Sequence, residues 1–361
     1  MRRADAKILC LPVRFISKII TTLGKRMLHS GLAQTFWVVL LVLALLRGGV
    51  RNASAQDLPH ECVPAETLPG SPTGYFHFEY IARHITVGGC IETEDGRKFG
   101  ARFILDTGSE QTSLNPTLVE FARLQPVDGE KNFLTVTGVR PTRQVKLPAL
   151  LLNGRQIRDL TTTVDERLVH ASQEFSTNFG VVVGLDVLSR YVVSIDYPYR
   201  RVAFFDKAAR VNRSSEVARF PFEVRHGQMI VHAILPNGAQ VSLEFDTGLG
   251  MDADVMLYQD ATEGVRLLPP LYSLPLEEGV EVRVGHLPWI DFERIHVESP
   301  TIALNPSKVP DVFGERHSPG LLGPLLFEDY TVEIDFHNHL VRVLRTKPRF
   351  QQAVPKRIPA H

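Results

Sequence analysis

Asp106-Thr107-Gly108 and Asp246-Thr247-Gly248 are the residues of this chain best suited to chemistry. Each triplet closes a mostly apolar run, Phe103-Ile104-Leu105 in the first copy and Leu243-Glu244-Phe245 in the second. One such triplet is weak evidence, since ordinary residue frequencies produce it in roughly one chain in fifteen of this length. Two of them at equivalent points of a repeat are a signal. Carboxyl groups held close together cannot both ionise, so they share one proton and their apparent pKa values separate. A pair of that kind offers a general base and a general acid at one point, enough to add water to a carbonyl without a covalent enzyme intermediate.

The elements that must position the triplets are themselves repeated. The chain reads HITVGGCIETEDGRKFGARFILDTGSE from His84 and MIVHAILPNGAQVSLEFDTGLG from Met229. Each stretch is a strand, a turn (Asp95-Gly96 or Asn237-Gly238) and a second strand ending in Asp-Thr-Gly. Such dipeptides between apolar runs predict type I′ hairpin turns, which need positive φ at both central residues. A second pair, GLDVLSRYVVSIDYPYRRVAFF from Gly184 and GPLLFEDYTVEIDFHNHLVRVL from Gly323, aligns without gaps and matches Tyr191 with Tyr330 and Asp196 with Asp335. The triplets lie 140 residues apart and the later glycines 139, so one offset relates both motifs and a duplicated domain is expected. Further strands are expected at 133–137, 145–152 and 160–164, with Asn153-Gly154 as a turn and a short helix over 117–124. The expected fold is all-β: two homologous barrel-like lobes, 74–211 and 217–344, joined by a polar linker at 212–216, with the cleft between them.

The ends of the chain read differently. Residues 1–55 hold nine of the 40 Lys/Arg residues and one of the 40 Asp/Glu residues; the remainder has 31 basic against 39 acidic residues, a net of −8. That balance argues against nucleic-acid binding, which rests on cationic contacts to phosphate. The apolar run from Phe36 to Leu46 is 11 residues long, about half of the roughly 20 that a spanning helix needs. A basic stretch precedes it and Ala53-Ser54-Ala55 follows, predicting a signal peptide cleaved after Ala55 and an exported, periplasmic or extracellular protein. An uncleaved N-terminal anchor is the other reading. Cys10 leaves with the signal, and the remaining Cys62 and Cys90 permit a disulfide between the 56–73 extension and the first lobe, two free thiols being the alternative. Residues 345–361 carry five basic residues and three prolines and no acid, predicting a disordered tail.

At the triplets the chain resembles the aspartic proteases, specifically the retropepsin-like bacterial aspartyl proteases with two lobes in tandem. The resemblance covers about 270 of the 361 residues and includes the later apolar-apolar-Gly motif, Val182-Val183-Gly184 and Leu321-Leu322-Gly323. It implies Asp106 and Asp246 as a catalytic dyad. Thr107 and Thr247 would hydrogen-bond across the lobe interface, and Gly108 and Gly248 would let backbone N–H groups approach the carboxylates. Gly184 and Gly323 would be structural, and Ser109 would bond the outer oxygen of Asp106. A flap is implied over the cleft, formed by 133–138 and 139–141 with Gly138 at its tip.

The second lobe departs from that pattern. Leu249 stands where the first lobe has Ser109, Asp252 and Asp254 are expected to raise the dyad's pKa values, and no Gly-tipped flap is evident between Leu271 and Val284. Two alternatives to an in-chain endopeptidase therefore stand: a non-catalytic peptide-binding scaffold, and a protease active only when first lobes of two chains pair. His337 and His339, a turn pair, carry no metal expectation. The expected partner is a peptide or protein substrate, with no cofactor, no metal, no nucleic acid, no membrane after signal cleavage, and a monomeric state.

Overall fold

The computed structural model describes residues 60–62 and 74–346, apart from 136–137, 207–214, 263, 276–279, 294, 313–314 and 317. The expected signal peptide, most of the 56–73 extension, 212–214 of the linker and 347–361 of the tail lie outside the described residues. The linker ends sooner than its polarity suggests: Glu216 already begins a strand, Glu216–Pro221. At the other end Arg345 closes the strand Leu340–Arg345 instead of opening the tail. No helix among the described residues is long and apolar enough to cross a membrane.

The fold is all-β. In the first half six strands close into a ring: His84–Glu92, Lys98–Leu105, Phe179–Val183, Ser113–Leu114, Arg155–Val164 and Gly138–Leu152, the last pairing back onto the first. A closed ring leaves no open strand edge. Its interior is filled by side chains at alternate positions, including Ile85, Phe103, Leu105, Leu147 and Val181. Burying such a side chain fully contributes about 1.5–3 kcal/mol.

The second half repeats five of the six pairings with Gln228–Ile234, Gln240–Phe245, Gly320–Leu322, Val255–Tyr258, Thr301–Asn305 and Glu281–His286, and among the described residues the last does not pair back onto the first. In both halves the strand that delivers Asp-Thr-Gly runs parallel to the strand before the later glycine. Leu105 lies opposite Val183 and Phe245 opposite Leu322.

A third sheet of six strands is built from both halves. At its centre Val192–Asp196 pairs antiparallel with Tyr330–Asp335, Val192 facing Asp335, Ser194 facing Glu333 and Asp196 facing Thr331. These strands are the two copies of one repeated motif, so the register is self-complementary about Ser194 and Glu333, as in an isologous contact. Buried Glu333 is neutralised there by Arg342 at 2.6 Å.

The turns correct one expectation. At Asp95-Gly96 and Asn237-Gly238 only the glycine has positive φ (80° and 82°). Gly96 N–H donates to Thr93 O and Gly238 N–H to Leu235 O. These are three-residue loops, a type I turn followed by a glycine in a G1 bulge, and not type I′ turns. Asn153-Gly154, with both φ positive (49° and 73°), is the two-residue form. The helix expected at 117–124 is Pro116–Ala122, capped by Asn115, whose side chain accepts from Thr117 N–H.

Cys62 and Cys90, 28 positions apart in sequence, are joined by a disulfide with Cα atoms 5.6 Å apart. Closing a loop of that length contributes roughly 3–4 kcal/mol by restricting the unfolded chain. The bond ties the strand His60–Glu61 to the ring, where it pairs with Lys98–Leu105.

Candidate active site

The parallel strand pairs bring Asp106 and Asp246 to one point. Asp106 N–H donates to Val183 O (3.1 Å) and Asp246 N–H to Leu322 O (2.9 Å), so each Asp-Thr-Gly loop hangs from the strand ahead of its later glycine. Gly184 and Gly323 are required by packing. A Cβ on Gly184 would meet Ser109 O and the Gln111 carbonyl carbon at 2.7 Å, and one on Gly323 would meet Leu249 at 2.8 Å.

Four hydrogen bonds lock the loops to each other. Thr107 Oγ1 donates to Phe245 O (2.6 Å) and accepts from Thr247 N–H (3.0 Å); Thr247 Oγ1 donates to Leu105 O (2.9 Å) and accepts from Thr107 N–H (3.0 Å). Both threonines are buried. Thr107→Val keeps the shape but orphans a buried N–H and a buried carbonyl, each costing about 1–3 kcal/mol. A loss of about 2–4 kcal/mol in urea unfolding is expected; a loss below about 0.5 kcal/mol would show that the lock does not hold the loops.

Each aspartate accepts from the glycine two residues on: Gly108 N–H to Asp106 Oδ1 at 2.8 Å and Gly248 N–H to Asp246 Oδ1 at 2.7 Å. The two carboxyl groups face each other across these glycines: a Cβ on Gly108 would lie 2.6 Å from Asp246 Cγ, and one on Gly248 2.3 Å from Asp106 Cγ. Burial holds the Asp246 carboxyl well above the usual carboxylate range; the charges of Asp106 and Glu244 push the same way, and Gly248 N–H opposes them. Two carboxyls this close hold one proton between them, Asp246 being buried and Asp106 half-buried.

Glu244 was not among the residues expected at the site. It is 4% exposed, and burial first, then the charge of Asp106, raises its pKa from the ordinary 4.5 to about 8, against a hydrogen bond from Gln228. The sequence carried a signal for it. A glutamate inside an apolar strand, two residues before Asp246, shares the aspartate's face by the two-residue period. Asp252 and Asp254, expected to load the dyad, do otherwise: Asp252 is exposed and pairs with Arg83 at 2.6 Å, and Asp254 Oδ2 accepts from Thr301 N–H at 2.7 Å.

A raised pKa in the folded state has a definite sign. The stability Glu244 contributes is full below the unfolded value near 4.5 and is lost as pH rises through about 8, at most about 1.4 kcal/mol per pH unit. Over pH 5–8 the melting temperature of wild type is expected to fall more steeply than that of Glu244→Gln. Parallel curves for the two proteins would rule out a buried, proton-retaining Glu244.

Ser109 corrects a further expectation. Its hydroxyl donates to Gln111 O at 2.9 Å, a local turn bond that uses its single hydrogen, and not to Asp106. Leu249 holds the same backbone place, since Ser109 N–H donates to Asp106 O and Leu249 N–H to Asp246 O, both at 3.4 Å. The serine-to-leucine difference thus leaves the two aspartates similarly held.

The site opens into a cavity of about 800 Å³, lined among others by Asp106, Asp246, Thr135, Arg140 and Pro275. Thr135 and Arg140 belong to a hairpin longer than expected, Pro126–Thr135 with Gly138–Leu152. Gly138 begins the return strand opposite Thr135, so it is a paired strand residue and not the tip; 136–137 lie outside the described residues. Pro275 belongs to a hairpin of the second half, Leu268–Pro275 with Glu281–His286, where no flap was evident from sequence.

Residues 87–186 match the model of the family described as aspartyl protease. The match spans Asp106-Thr107-Gly108 and Gly184, the pieces whose geometry has just been given. Over these 100 of its 361 residues the chain is similar to the retropepsin-like aspartyl proteases. No curated protein matches the chain. The aspartyl protease match stops before Asp246, so the second half enters the site on its geometry alone.

Proposed function

We propose that this protein is an exported aspartic endopeptidase whose dyad is completed within one chain, one aspartate from each of two lobes. The observation that carries the reading is the close approach of the Asp106 and Asp246 carboxyl groups, each fixed by its own glycine N–H and packed against the other loop's glycine. In this reading the buried Asp246 carries the shared proton and the half-buried Asp106 is the base. It takes a proton from a water placed between the carboxyls as the hydroxide oxygen bonds to the scissile carbonyl carbon. Asp246 gives its proton to the carbonyl oxygen, forming a tetrahedral gem-diol. Asp106 then passes its proton to the nitrogen, the C–N bond breaks, and a diol hydroxyl returns a proton to Asp246 as the carboxyl product forms.

The two hairpins reaching the cavity suit an extended peptide, to which they can offer backbone hydrogen bonds while excluding water. The Cys62–Cys90 bond supports export, because disulfides persist in oxidising compartments. A pair completed in one chain supports a monomer. The test is cleavage of a peptide library by the purified protein from pH 3 to 7.5, beside Asp106→Asn. Fragments from wild type alone support the proposal; none at any pH, with the chain folded, would refute it.

A further inference from the structure

The two halves match so closely around the dyad that their differences stand out. Ile104 and Glu244 correspond, each two residues before its aspartate, Ile104 opposite Thr86 and Glu244 opposite Ile230. His84 and Gln228 correspond too. Each follows a two-residue turn of positive φ, Ala82-Arg83 or His226-Gly227. On the first-half side Ile104, Leu168, Phe179 and Val182 form an apolar cluster that lines the cavity. On the second-half side the lining at the corresponding place includes Gln228, Glu244, Tyr258 and Ser318, with Leu321 beside them and Leu249, Met251, Pro275 and Pro310 elsewhere on that wall.

One atom of that polar wall has no partner among the described residues. Glu244 Oε2 accepts from Gln228 Nε2, but Glu244 Oε1 is buried without a hydrogen bond. A buried acceptor left unmade costs free energy, and one that faces a cavity is answered by what enters it. The lining residues from the second half include Asp246 and Glu244 and no lysine, arginine or histidine among those described.

We infer that the cleft takes a lysine or arginine side chain against Glu244 and an apolar side chain against Ile104, so that the scissile bond joins a basic to an apolar residue. This deepens the protease reading and rests on it. Lysine and arginine offer donors and positive charge and no acceptor, so either one matches the unpaired oxygen of an ionised Glu244 and its entry releases to solvent the proton that burial otherwise keeps there. An acidic side chain meets two carboxyl groups there and is rejected. A site built to hydrogen-bond a side chain also discriminates against an analogue without the donors.

The test uses the full chain and peptides in which a non-hydrolysable isostere replaces the scissile amide, with lysine, norleucine or glutamate at either flanking position. At one of those positions wild type is expected to bind lysine at least tenfold tighter than norleucine, and glutamate most weakly. Glu244→Gln, which keeps the Gln228 bond and the shape, is expected to bring the lysine-to-norleucine ratio within twofold. Glu244→Ile, copying Ile104, is expected to reverse it. Should neither variant fold, the wild-type ratios decide alone. A wild-type ratio near one, a ratio unchanged in the folded variants, or no binding of any peptide overturns the inference. Hydrolysable versions run in parallel separate the two readings. Equal cleavage of lysine and norleucine peptides removes the basic subsite and leaves the protease, whereas Glu244-dependent lysine binding without cleavage leaves the subsite and removes the protease.

Discussion

Asp246→Asn is expected to lower kcat/KM for peptide hydrolysis by at least about 10³-fold with the chain still folded, and Asp106→Asn to do the same. The amide is close in size to the carboxyl and its oxygen can still accept from Gly248 N–H, so the loop keeps its 2.7 Å anchor. The change is in proton chemistry. An amide at 246 cannot give up a proton to a carbonyl oxygen and take it back, and an amide at 106 cannot accept one from water. The two carboxyls act as a unit, so the double variant should be little worse than either single one. Asp246→Asn should also not cost stability, because it replaces a group that burial already keeps neutral. Initial rates on a cleaved library peptide, with near-ultraviolet circular dichroism as the fold check, decide this. Activity within tenfold of wild type in either variant would remove the in-chain dyad. Loss with Asp106→Asn alone would point to pairing between first halves of two chains.

The repeat carried much of the fold in plain view. Offsets of 140 and 139 residues align segments that occupy corresponding strands, and the self-complementary pairing of Val192–Asp196 with Tyr330–Asp335 is that same repetition seen in space. What could not be read depended on long-range packing. Ser109 and Leu249 look unlike in sequence, yet the difference does not reach the aspartates, because the Ser109 hydroxyl is used two residues away. Asp252 and Asp254 look threatening because they are near in sequence, but Arg83 and Thr301 N–H, distant in sequence, take them up. Glu244 sat unremarked in a strand taken as apolar, since only the fold shows that its face opens onto a cavity. The second hairpin hid because its first strand carries Pro269, Pro270 and Pro275, and the sequence between Pro275 and Glu281 has no Asn-Gly or Asp-Gly pair.

Gly248→Ala is expected to abolish hydrolysis as thoroughly as losing an aspartate, through geometry alone. A Cβ there would lie 2.3 Å from Asp106 Cγ and 2.4 Å from its Oδ1, far inside contact distance. Asp106 cannot simply swing aside, because Gly108 N–H holds one oxygen at 2.8 Å and the loop of Asp246 packs against the carboxyl from the other half. Either the Asp106 carboxyl turns out of line or the two loops move apart against the threonine lock. The first route misplaces the base, and a displacement of about 1 Å can cost about 10²-fold in rate. The second costs stability, about 1–3 kcal/mol for overpacking. Gly108→Ala should behave alike, its Cβ falling 2.6 Å from Asp246 Cγ. Gly88→Ala is the control: it too lies on a strand of the site's half, but a Cβ there meets nothing within 4 Å, so activity near wild type is expected. If Gly248→Ala cleaves within tenfold of wild type while Gly88→Ala does as well, the carboxyls do not face each other across these glycines, and the dyad needs another arrangement.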